Sequence, residues 1–128
     1  MSTTKRYVVN FGDENSVTLE VDTVKLSPEL ATEINKFWSS HSLRLSEQNN
    51  NPVEVVARLF GAAAVRVFME NGGALHLSEG KEREYWTRKV LQDQWEGWPE
   101  FESLGVLLVD ADVSCVDYFA VTLEEVTQ

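Results

Sequence analysis

Residues 51–73 constrain this chain more than any other stretch. Asn51-Pro52-Val53-Glu54 is a helix start. Asn51 can cap open amides, Pro52 suits the first helical position because its missing N–H loses no partner there, and Glu54 stands where a capping-box carboxylate belongs. Asn71-Gly72-Gly73 is a matching stop. A helix is therefore expected from Pro52 to about Glu70. Val53, Val56, Ala57, Leu59, Phe60, Ala62 to Val65 and Val67 to Met69 cover much more than one stripe of it. A helix apolar on so many sides must be packed on more than one, so it belongs at the centre of the fold. Gly61 and the three alanines after it are thin enough to let another element approach closely. Arg58 and Arg66 interrupt the run, so it does not read as a membrane span.

Around that helix the periodicity is mixed. Tyr7, Val9 and Phe11, then Val17, Leu19 and Val21, alternate with polar or outward positions, and Gly12-Asp13-Glu14-Asn15 between them suits a tight turn. This is an N-terminal β-hairpin with one face inward. Ser27-Pro28-Glu29 starts a first helix, whose face is Leu30, Ile34, Phe37, Trp38 and His41, continued by Leu45 if the helix runs that far. Ser39, Ser40 and Ser42 are poor helix-interior residues and mark fraying or a bend. A third helix is expected from Ser78 or Lys81 to Gln94, with Glu84 and Arg88 one turn apart. Gly97 and Pro99 end the pattern, leaving Trp95 to Pro99 as an ordered loop with one or both rings docked. Val106 to Val109 and Val116 to Val121 read as a second hairpin, with Asp110 to Ser114 as its turn. The expected fold is one α+β domain over residues 1–128, in ββααα-ββ order. It has a four-stranded, mainly antiparallel sheet made of two terminal hairpins, with two to three helices on one face.

Charge restricts the partners. The net charge is −10, and it is unevenly placed. Residues 1–89 carry 11 basic and 12 acidic side chains; residues 90–128 carry 9 acidic ones and no Lys, Arg or His. Such a surface repels nucleic acid, whose binding depends on cationic contacts to phosphate, and repels anionic membrane. It attracts a basic protein partner, or serves solubility alone. The single cysteine, Cys115, excludes an internal disulfide, and no histidine or basic residue near it in sequence would activate it. No signal-peptide core follows the basic start, so a reducing cytoplasm is the expected location.

Candidate sites are few. No catalytic, metal-binding or cofactor-binding residues are assigned, no cofactor is expected, and an enzyme is the less favoured class. Such an enzyme would gather His41, His76 and the pair Asp110 and Asp112, with Asp117 nearby in sequence. A solvated hairpin tip explains those carboxylates as well. The segment around Trp86, Trp95 and Trp98 carries more. Aromatic rings there stand among Glu96, Glu100 and Glu102, the pattern of anchors with charged rims that protein interfaces use. Rings docked under a Pro/Gly loop give the same pattern. A homo-oligomeric assembly protein, such as a homodimer, is the alternative class.

Thr18-Leu19-Glu20-Val21, the helix from Leu26 to Trp38, the alanine-rich second helix, Asn35-Lys36-Phe37-Trp38 and Glu96-Gly97-Trp98-Pro99 together resemble a family of small uncharacterised proteins carried by phages and prophages. The resemblance implies an accessory protein of a mobile element in a bacterial cytoplasm. It carries over no activity and no functional residues.

Overall fold

The computed structural model describes residues 3–94, 96–115, 119 and 121–126. Strands β1 (Thr4–Phe11) and β2 (Asn15–Asp22) form the N-terminal hairpin, and β3 (Val106–Asp112) lies antiparallel to β2, giving a sheet of order β1-β2-β3. Helices α1 (Pro28–Phe37), α2 (His41–Glu47), α3 (Pro52–Glu70), α4 (Lys81–Asp93) and α5 (Phe101–Leu104) complete the described elements.

The central helix forms as its ends dictate. Asn51 Oδ1 accepts from the amides of Val53 and Glu54, and eleven residues of α3 are buried. Gly61 is the point of closest approach. A Cβ there would stand 2.6 Å from Val9 Cβ, so only glycine lets α3 lie this tightly on β1. On the sheet, Val17, Leu19 and Val21 are fully buried and form the inner face with Val106, Leu108 and Ala111. Phe60 and Phe68 of α3 fill the space between sheet and helices, and α4 closes the core against β3.

Two expectations need correction. The sheet has three strands among the described residues, one hairpin and a single C-terminal strand, and not four strands in two hairpins. Asp110 to Ser114 is not a turn, because β3 runs through to Asp112 and Val113 bridges Ala74. The cause is a β-bulge. Thr18 pairs with Asp110 but Leu19 pairs with Leu108, leaving Val109 as the extra residue. The inward phase shifts there from Val106 and Leu108 to Ala111 and Val113, which masks the period of two. Thr87 of α4 supports the bulge by accepting the Leu108 amide at 2.9 Å. Of the expected last strand, residues 116–118 and 120 lie outside the described residues, while Phe119 and residues 121–126 belong to no strand.

The helices number five among the described residues, not two to three. The expected first helix is two. Trp38 is extended and Ser40 is left-handed at φ 66°, so His41 and Leu45 sit on a separate helix. The third expected helix is α4, and α5 is a further short turn after Pro99. Among the described residues, no helix is long and apolar enough to cross a membrane.

Candidate functional site

The two tryptophan-containing motifs of the sequence meet in space. Trp98 packs at 5.4 Å from the Trp38 ring and edge-on to Phe60 at 5.7 Å, while Phe37 stands edge-on to Trp38. Gly97 makes this possible. Its φ is +85°, and a Cβ there would come within 2.7 Å of Trp38 Cζ2 and 2.9 Å of Phe37 Cε1. Glu96-Gly97-Trp98-Pro99 is thus laid on Phe37-Trp38. Trp98 is half-buried and anchors the segment; Trp86, also half-buried, packs on Phe68 at 4.8 Å and against Tyr85. Trp95 lies outside the described residues.

Anchored this way, residues 98–102 run beside α4. A shallow groove of about 630 Å³ lies between them, lined by Leu91, Gln92, Trp98, Pro99 and Glu100 among others. Arg88 ties its sides together. Its guanidinium donates to Glu84 at 2.9 Å and to Glu102 at 2.8 Å and lies 4.5 Å from the Phe101 ring centre. The Glu84–Arg88 pair is visible in the sequence by its spacing. The Glu102 partner, fourteen residues on, is not. Lys89 pairs with Asp93 at 3.7 Å. Three of the local carboxylates are therefore held by α4's own cations. Glu100 lines the same groove and Glu96 directly precedes the docked Gly97; both are exposed and make no ion pair among the described residues.

These contacts fix protonation as well as position. The hydrogen bond from Arg88 holds the Glu102 carboxyl below its ordinary range, and the same contact raises Arg88. A carboxyl lowered on folding stabilises the fold above its unfolded pKa, and that contribution is lost as pH falls through the lowered folded value. Carboxyl NMR titration should find Glu102 ionising below the ordinary glutamate range, and Arg88→Gln should raise it toward that range.

Of the residues of the enzyme alternative, the fold brings His76 and Asp110 together and leaves His41 and Asp112 apart from them. His41 opens α2, which packs on α1 and α3. His76 stands 3.5 Å from Asp110, and Asp110 also accepts the Leu77 amide, but the His76 side chain is 75% exposed. Asp112 is exposed at the end of β3. Among the described residues, no three His, Cys, Asp or Glu side chains gather as a metal would require. Cys115 is exposed and its Sγ donates to the Met69 carbonyl.

Comparison with protein families matches residues 16–123 to a model described as a protein of unknown function, DUF2528. The chain belongs to the DUF2528 family. The matched span runs from β2 into the C-terminal segment and so takes in both aromatic motifs. No curated protein and no solved structure matches the chain.

Proposed function

We propose that this DUF2528 chain is a non-enzymatic interaction protein whose acidic surface around Glu96, Glu100 and Glu102 receives a basic segment of a partner protein. One observation carries the reading. Glu100 lines a groove whose floor is pinned by Trp98 and Arg88, Glu96 is exposed two residues before Trp98, and neither has an intrachain ion-pair partner among the described residues. No cation follows Lys89 anywhere in the chain. Carboxylates on a fixed backbone present a directional negative field, which steers a cationic segment and sets its register. Trp98, Pro99 and Leu91 supply apolar contact beneath it. The setting in this reading is a phage or prophage accessory protein in a bacterial cytoplasm, supported by the resemblance of the aromatic motifs.

The test is a pull-down from host lysate at low and high salt, comparing the native chain with Glu96→Lys/Glu100→Lys. Glu102 is left in place because it holds Arg88. A basic protein retained at low salt, released at high salt and lost with the reversed pair is the expected result. An identical set of bound proteins for both chains overturns the reading.

A further inference from the structure

The stripe of α3 turned away from the core is apolar and cationic at once. Arg58, Ala62, Arg66 and Met69 stand exposed along it at helical spacing, with the buried Val65 beside them. Together with Val9 and Phe11 of β1 they line a groove of about 500 Å³. Glu70 also lines it, one residue past Met69, so the groove is cationic along Arg58 and Arg66 and acidic at the Met69 end. Arg58 donates to Glu47 and Gln48, whereas Arg66 makes no ion pair among the described residues. The complement of this groove lies in the same chain. Residues 121–126, Val121-Thr122-Leu123-Glu124-Glu125-Val126, belong to no strand or helix and are exposed, Leu123 by 99% and Val126 by 84%. Glu124 and Glu125 make no ion pair among the described residues. Each copy therefore carries an apolar, anionic segment and an apolar, cationic groove. With Leu123 in solvent, the segment is not seated in the groove of its own copy.

We infer that residues 121–126 of one copy seat in the groove between β1 and α3 of a second copy. The lengths agree. From Arg58 to Met69 the helix rises about 16 Å, and an extended segment from Val121 to Val126 covers about the same. Charge sets the direction. Laid antiparallel to α3, the segment places Val121 at Met69 and Leu123 over Val65 and Ala62, and brings Glu124 and Glu125 level with the stretch between Arg66 and Arg58. The opposite direction would carry Glu125 up to Glu70. Val121 and Leu123 fall on one side of an extended segment, so both turn to the helix together. Arg66 meets the carboxylates as an unshared cation, while Arg58 divides itself between them and Glu47. Covering Leu123 and the stripe from Ala62 to Met69 removes apolar surface from water, and the small side chain of Ala62 leaves room for the leucine. The contact is made by side chains and leaves the pairing of β1 unchanged. It sets a groove against a segment, so no groove faces another and the arginines of the two copies stay apart. The net charge of −10 on each copy opposes approach, which makes the association weak and concentration-dependent. The contact uses none of the carboxylates of the proposed function and stands or falls separately.

The experiment measures mass by light scattering across a concentration series on the full chain, with circular dichroism as the check of folding. The mass of the native chain should rise above 14.5 kDa with concentration. Arg66→Glu disables the groove and Leu123→Asp disables the segment. Both side chains are exposed, so both variants should fold as the native chain does. Each should weaken self-association about tenfold, the first by turning an attraction into a repulsion and the second by removing the buried leucine. Mixed, the two variants should associate again, because the Leu123→Asp chain still offers its groove and the Arg66→Glu chain still offers its segment. That complex should stop at two chains, since each partner keeps only one half of the contact. A native chain at 14.5 kDa at every concentration overturns the inference and leaves the groove to the chain's own segment or to an acidic segment of another protein. A mixture that associates no better than its two components, or a native association that neither variant weakens, overturns it as well.

Discussion

Phe60→Ala should lower the free energy of unfolding by about 3–5 kcal/mol, a large share of the roughly 5–15 kcal/mol that holds a domain folded. Phe60 has no exposed surface and sits mid-way along α3, where helix, sheet and Trp98 converge. Truncation removes the transfer free energy of the ring and leaves a void that the neighbours cannot fill. Gly61 already holds the backbone of α3 against Val9, so the helix cannot move closer to collapse the space. The ring is also the edge on which Trp98 rests, so the loss spreads to the 96–99 segment. Urea unfolding followed by circular dichroism should show a lower midpoint with an unchanged slope. Tryptophan fluorescence of the folded variant should shift to the red as Trp98 gains solvent. A midpoint near that of the native chain would show that the core relaxes around the void and that α3 is not the rigid centre described above.

What the sequence made legible follows from how local each cause is. The central helix was readable because its cap, its first-turn proline and its glycine stop are all contiguous, and Asn51 accepts the two amides its position predicts. The N-terminal hairpin was readable because alternation on both strands agrees with a turn between them. The last strand was not. Asp110 and Asp112 look like turn residues, but they occupy the outer side of a strand whose inward positions become Ala111 and Val113 beyond the bulge. A bulge is a property of the pairing partner as much as of the strand, and nothing local announces it. The candidate surface divides the same way. The excess of carboxylates after Lys89 is plain in the composition. The neutralisation of Glu102 by Arg88, and the docking of Gly97 on Phe37 and Trp38, depend on elements the sequence keeps far apart.

The corner between α1 and α2 yields the second large effect, and it rests on one side chain. Arg44→Ala should cost about 2–3 kcal/mol, more than an exposed arginine normally would. The last carbonyls of a helix have no intrahelical donors. At the end of α1, Arg44 supplies them: Nη2 donates to the carbonyls of Asn35 at 3.0 Å and Trp38 at 3.2 Å, and Nη1 to that of Ser39 at 2.6 Å. Its Nε donates to Asn35 Oδ1 at 2.9 Å, and the Asn35 amide in turn donates to the His41 carbonyl at 3.1 Å. Asn35 is 3% exposed, so removing the guanidinium leaves its buried acceptor without this donor. Arg44→Lys should recover less than half of the loss, because a point charge cannot serve these acceptors in fork geometry. Arg44→Met, which keeps the stem, should behave like alanine if the donors matter and like arginine if only packing does. The corner also carries Phe37 and Trp38, the bed on which Gly97 and Trp98 lie. Arg44→Ala and Trp98→Ala should therefore couple in a double-mutant cycle by more than about 0.5 kcal/mol, beyond the error of additive sites. Strict additivity would detach the α1–α2 corner from the acidic surface, whereas the expected coupling makes Arg44, nine residues after Asn35, a support of the groove it never touches.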